Sequence, residues 1–206
     1  VARGEESTET ERVVSEMLSV FEEKILPRLL TTSEETKRYL LFTAWLNSFL
    51  EERGLGRVVI TGGFAVEVYT GRVYRTMDVD VIVENASRVV EEFLEKFSER
   101  IGRGYLPVYE VLSLKSIDIV SATYTRKKSP VRVLVEEFYV YLDPVEDLIA
   151  VYLEGWKYRG ATEDRDKALW LLYTWSSRLD WEYLEELCRE KGVLDKLGEL
   201  RGLLST

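Results

Sequence analysis

The chain has 206 residues, enough for one compact domain with a substantial core, or a core plus a small helical extension, and too few for two large domains. Its 28 Lys and Arg against 37 Asp and Glu give a formal net charge of −9, which disfavours a broad, sequence-independent grip on nucleic acid. With no histidine and a single cysteine, Cys188, it excludes Ser-His-Asp and Cys-His nucleophilic sites, histidine-ligated zinc and a disulfide framework, so any catalysis must run on carboxylates, Lys, Arg, Tyr or a metal.

In chain order, the first ten residues read as loose. Val14, Met17, Leu18, Phe21 and Ile25 then recur at helical spacing, and Pro27 is expected to close that helix. A second helix opens at Thr32, with Glu35 completing a capping box, and runs to about Glu52 before Gly54. Strands follow near 57–61 and 78–83. A helix is predicted from about Ser87 to Arg100, capped by Asn85, and further strands near 109–114, 116–120 and 138–142. Strand and helix alternate too irregularly for a doubly wound parallel sheet, so the class is α/β in the α+β sense: a small mixed sheet with helices on one face. Pro144 then opens an all-helical tail, about 144–158, 163–177, 181–191 and 193–204, with Gly160 and Gly192 as stops. The organisation expected is N-terminal helices over 1–54, a core over 55–142 and a helical subdomain over 143–206.

No apolar run approaches the roughly 18 residues of a membrane span. The acidic, polar stretch Val1 to Glu11 is unlike a signal peptide, and cytoplasmic residence is predicted. The chain lacks glutamine and has two asparagines and two methionines beside abundant Glu and Arg, a pattern of heat-adapted proteins. Cys188, among apolar and charged residues of a predicted helix, reads as a core filler.

The chemistry concentrates between residues 58 and 84. Val58-Val59-Ile60-Thr61 is a strand that runs into Gly62-Gly63 and a short helix from Phe64 to Thr70, closed by Gly71. Two glycines at a strand-to-helix turn let a ligand approach the backbone with no Cβ in the way, and the helix start offers unpaired N–H groups and a positive dipole end to phosphate. Further on, Asp78-Val79-Asp80 lies on a strand, where alternation sends both carboxylates to one face and Val79, Val81 and Val83 to the other. Carboxylates held so close repel as bare anions and are stabilised by a divalent cation. Magnesium, or manganese in its place, suits them because it takes carboxylate oxygens and shares its other positions with substrate phosphates.

Thr61-Gly62-Gly63-Phe64-Ala65-Val66 followed by Tyr74-Arg75-Thr76-Met77-Asp78-Val79-Asp80-Val81 resembles the DNA polymerase β-like nucleotidyltransferase superfamily, in particular its minimal and abortive-infection toxin-type members. The resemblance covers about residues 55–170. It implies transfer of a nucleoside monophosphate from a nucleoside triphosphate such as ATP to an acceptor hydroxyl, with Mg²⁺ or Mn²⁺ held by Asp78 and Asp80 and by a third carboxylate on a neighbouring strand. Asp118, in Ser116-Ile117-Asp118-Ile119-Val120, is the choice for the third, with Glu110 and Glu136 as alternatives. Gly62 and Gly63 would take the β- and γ-phosphates. Asp143-Pro144-Val145-Glu146-Asp147-Leu148-Ile149-Ala150 extends the likeness, but Tyr152 stands where relatives often carry a lysine, a role that could fall to Lys157.

Arg75 could match phosphate oxygens bidentately or simply pair with Asp78 or Glu84. Thr76 could orient a catalytic carboxylate or merely favour the strand. Arg126-Lys127-Lys128 could steer a triphosphate or stay a solvated loop. The acceptor stays open among a small molecule such as an aminoglycoside, a tRNA end and a protein side chain. Two rival enzyme classes use similar letters. Haloacid dehalogenase-type phosphatases need an apolar strand leading into the first Asp, where Tyr74-Arg75-Thr76-Met77 stands; metal-dependent glycosyltransferases need a longer nucleotide-binding half ahead of the motif. The non-enzymatic alternative is a nucleotide- or protein-binding module, such as one half of a toxin–antitoxin pair.

Overall fold

A computed structural model describes the backbone of residues 2–204 and the side chains of residues 8–204. In chain order the elements are α1 (Ala2–Val20), a π-helical turn (Phe21–Ile25), α2 (Leu26–Thr31), α3 (Glu35–Glu52), β1 (Arg57–Ile60), α4 (Gly62–Tyr69), β2 (Asp78–Glu84) and α5 (Ser87–Glu95). There follow β3 (Ser98–Ile101), β4 (Gly104–Pro107), a 3-10 turn (Glu110–Leu112), β5 (Ser116–Ser121), β6 (Val131–Val135) and β7 (Phe138–Leu142). The chain ends in α6 (Val145–Arg159), α7 (Thr162–Trp175), α8 (Trp181–Glu190) and α9 (Leu194–Leu204). Contacts gather these into two compact units. One comprises Val1–Ile60, Met77–Thr125 and Arg132–Leu142; the other comprises Thr61–Thr76, Arg126–Val131 and Asp143–Thr206.

The first unit is built on a seven-stranded mixed sheet in the order β3-β4-β5-β2-β1-β7-β6. β1 runs antiparallel to β2 and parallel to β7, while β2 runs parallel to β5. Helix α3 packs on β1 and β7, and α5 on β2, β3 and β4. Their core is aromatic. Phe21 stacks on Phe97 at 5.1 Å, Phe93 meets Phe97 edge-on at 5.0 Å, and Phe42 and Trp45 close the cluster, each ring giving up its water contact and gaining ring-edge attraction. One buried polar side chain fixes the helix to the sheet: Asn47 accepts the Val58 N–H at 2.8 Å and donates to the Tyr139 carbonyl at 3.1 Å, so a single amide bridges β1 and β7.

Several local expectations fail for identifiable reasons. The first residues are helical from Ala2. Pro27 does not close its helix, because the widened π turn comes first, with the Leu26 N–H reaching back to the Phe21 carbonyl, and Pro27 falls at the start of α2, where a missing N–H costs little. Helix α3 begins at Glu35 with no side-chain cap, so the Thr32 capping box does not form. Asn85 does not cap α5 but turns the chain at φ 61°. That helix stops at Glu95, and the segment predicted to continue it becomes β3, joined to β4 by the two-residue loop Gly102-Arg103 with Gly102 at φ 61°. Residues 109–114 hold a 3-10 turn in place of a strand, and β6 was not anticipated.

The second unit gathers α4 with α6–α9. Gly160 and Gly192 end their helices at φ 67° and 69°, as read from the sequence. Trp175 donates its indole N–H to the Tyr69 carbonyl at 2.9 Å, tying α7 to the end of α4. The basic run lies in a partly exposed loop whose cations are ion-paired: Arg126 with Asp143 at 3.1 Å, Lys127 with Glu190, and Lys128 with Glu146 at 3.0 Å, so each reaches an acid of the helical tail. Lys157 is engaged as well, bonding the Gly192 carbonyl and Asp195 at 2.7 Å each, a clamp across the turn into α9. Among the described residues, no helix is long and apolar enough to cross a membrane.

Candidate active site

Asp78 and Asp80 lie on β2 two residues apart, half-buried, while the intervening and following Val79, Val81 and Val83 are at most 1 % exposed. Strand alternation therefore places both carboxylates on the face opposite the aromatic core. In the parallel pairing of β2 with β5, Asp78 stands opposite Ser116 and Asp80 opposite Asp118. Side chains on the same rung of adjacent strands share a face, and the strands lie about 4.8 Å apart, so the Asp118 side chain leaves the sheet beside Asp80.

Asp118 does not turn toward Asp80. Its Oδ1 occupies the place where a side chain on Gly104 of β4 would begin, and its Cγ lies 2.8 Å from that point. Since β4 and β2 flank β5 on opposite sides, the carboxylate leans away from the aspartate pair. Oδ1 is buried and has no hydrogen-bond partner. Among the described residues, no three Asp, Glu or Cys side chains are gathered closely enough to hold a metal ion as they stand. Of the acids weighed for the third position, Asp118 alone lies on a strand beside β2. Glu110 is exposed in the 3-10 turn, and Glu136 sits in the β6–β7 turn, ion-paired to Arg28. Glu84, one of the acids considered for Arg75, pairs with Arg57.

The glycine turn belongs to the second unit. Gly62 takes φ 60°, a conformation open to glycine at little cost, and starts α4 directly. The Thr61 hydroxyl does not cap this helix; it donates to the buried carboxylate of Asp143. Gly63 is held to glycine by space, because a Cβ there would meet Thr76 Oγ1 at 2.8 Å. Thr76 thus packs against the turn, and its N–H is accepted by Glu67 at 3.0 Å. Arg75 beside it is exposed.

Two residues that matter locally escaped the sequence reading. Glu67 is fully buried on α4, and an acid inside the apolar run Phe64-Ala65-Val66-Glu67-Val68-Tyr69 is itself a signal that a buried donor awaits it. Gly104 leaves no such signal, since a glycine before a strand is common and its use appears only when Asp118 is seen above it.

Residues 39–106 match a family model described as a nucleotidyl transferase of unknown function (DUF2204), a span that includes the glycine turn and the aspartate pair. The structure is similar to the crystal structure of an antigenic nucleotidyltransferase-like protein from Paracoccidioides brasiliensis, with 15 % identity and a TM-score of 0.52 over 68 % of this chain and 77 % of that one. The chain has a nucleotidyltransferase fold. A weaker likeness, TM-score 0.46 and 18 % identity over 74 % of this chain and 89 % of the other, is to the solution structure of the antibiotic-resistance factor ANT(2'')-Ia. No curated protein matches the chain. Carboxylate oxygens are donors of the kind magnesium takes, so the chemistry of Asp78, Asp80 and the partnerless Asp118 Oδ1 suits such an ion, while Asp118 would have to turn for the three to meet.

Proposed function

We propose that the protein is a divalent-metal-dependent nucleotidyltransferase that moves a nucleoside monophosphate from a nucleoside triphosphate onto an acceptor hydroxyl and releases pyrophosphate. The observation that carries this reading is the rung shared by Asp80 and Asp118 beside Asp78, with the two carboxylates of β2 on the face opposite Val79, Val81 and Val83. Asp78 and Asp80 would hold Mg²⁺ or Mn²⁺, with Asp118 completing the set; when bound, the ion lowers the acceptor's pKa and offsets charge gathering on the leaving pyrophosphate.

The chain's own residues supply the rest. Asp118 takes the proton of the acceptor hydroxyl as its oxygen bonds to the α-phosphorus, and the bond from that phosphorus to the bridging oxygen breaks in line. The amides at Gly62 and Gly63 receive phosphate oxygens at the start of α4, and Arg75 adds a guanidinium for the triphosphate. With no histidine in the chain, carboxylates are the groups at hand to move the proton. The acceptor class remains among a small molecule, a tRNA end and a protein side chain.

Equilibrium dialysis with each labelled triphosphate, with and without Mg²⁺, tests the reading. Metal-dependent retention that Asp78→Asn and Asp80→Asn both weaken supports it. Retention that ignores metal and both substitutions favours a binding module without turnover.

A further inference from the structure

The position of Asp118 over Gly104 carries a second step, which rests on the nucleotidyltransferase reading. A carboxylate oxygen that is buried and partnerless is costly, since its lost hydration is not returned by any donor. Here that oxygen fills the one place on β4 that lacks a side chain: Gly104 lies across from Asp118 in the antiparallel β4–β5 pair, and any other residue would put a Cβ where Oδ1 now sits. Gly104 has no positive φ, so its backbone does not demand glycine. What demands it is room for the neighbouring carboxylate.

We propose that Gly104 forms a parking hollow that holds the Asp118 carboxylate away from Asp80 until a cation recruits it, making Gly104 a positioning residue for the third metal ligand. In the parked state the site presents two carboxylates, Asp78 and Asp80. In the recruited state Asp118 turns about its own side-chain bonds toward β2, its Cα already on the rung of Asp80. Parking lowers apparent metal affinity by the fraction of time the third ligand is withdrawn. An added methyl group at Gly104 collides first with the Asp118 carboxylate, while the Ser116 Cβ, 3.2 Å from it, has only to give slightly, so the substitution acts chiefly by shifting Asp118.

Mn²⁺ binding followed by electron paramagnetic resonance separates the outcomes. Gly104→Ala, by closing the hollow, is expected to tighten Mn²⁺ binding about threefold to tenfold, and the gain should vanish in Gly104→Ala combined with Asp118→Asn. Unchanged or weaker binding in folded Gly104→Ala, while Asp80→Asn still abolishes it, overturns the parking hollow and leaves the reading of the site standing. Binding that ignores both Asp78→Asn and Asp80→Asn overturns the reading itself. Should Gly104→Ala not fold, Mg²⁺ titration of the ¹⁵N-labelled natural chain decides the matter. The Gly104 amide resonance should move with Mg²⁺ and stay still in Asp118→Asn; a resonance that never moves in the natural chain contradicts the proposal.

Discussion

Asp80 and Asp118 stand on one rung of a parallel strand pair, yet the second carboxylate is turned from the first, with one buried oxygen lacking any donor. Under the proposed function, stability and activity are therefore opposed at Asp118. Asn in its place removes the charge, whose lost hydration no donor returns at the buried oxygen. We expect Asp118→Asn to raise stability by about 1 kcal/mol, roughly 2–4 °C in Tm, while lowering nucleotidyl transfer. Differential scanning calorimetry on metal-free protein checks the first part, and a fall in Tm would contradict it.

A tight contact of the other kind exists at the glycine turn. The space that a Gly63 side chain would need is taken by Thr76, so Gly63→Ala must push that residue or the start of α4 aside. The expected cost is about 1–3 kcal/mol of stability, read from urea denaturation. A Gly63→Ala variant as stable as the natural chain would show that the turn yields freely.

The pairing of Arg28 with Glu137 sets an acid limit. The guanidinium hydrogen bond holds the Glu137 carboxyl down at about 2 from its ordinary 4.5, so the pair contributes stability above pH 4.5 that is lost as pH falls toward 2. Both side chains are partly exposed, and screening keeps the contribution under about 1 kcal/mol. Glu137→Gln should therefore be slightly less stable than the natural chain at pH 7 and equal to it near pH 2, measured by denaturant titration at each pH. An equal deficit at both would contradict the assignment.

Burial pushes the Cys188 thiol up to about 12, with no solvent path in the native state. An aromatic disulfide reagent should leave it untouched in native protein and modify it fully in guanidinium. Rapid native modification would place Cys188 outside the core.

What the sequence showed and hid follows from where the determining forces lie. β2 was legible because alternation writes both its faces into seven residues, and α6 to α9 because Gly160 and Gly192 mark their ends. The β3–β4 hairpin was hidden because Glu91, Glu92, Glu95, Glu99 and Arg100 continue a helical charge pattern, which strand pairing overrides. β6 was hidden because its turn, Glu136-Glu137, lacks glycine and asparagine. Glu136 adopts φ 55° there, and Arg28, more than 100 residues earlier, pairs with both acids of the turn. In the same way the aspartate pair announced itself locally, whereas the placing of Asp118 over Gly104 depends on a strand pairing that no local pattern encodes.

The most direct test incubates the protein with each labelled nucleoside triphosphate, Mg²⁺ and a cell extract, beside the Asp80→Asn variant. We predict metal-dependent transfer of label to one class of acceptor by the natural chain and at least a hundredfold less by the variant, a loss of roughly 2.7 kcal/mol in transition-state stabilisation. Equal labelling by the two would contradict the role given to Asp80 and, with it, the carboxylate site.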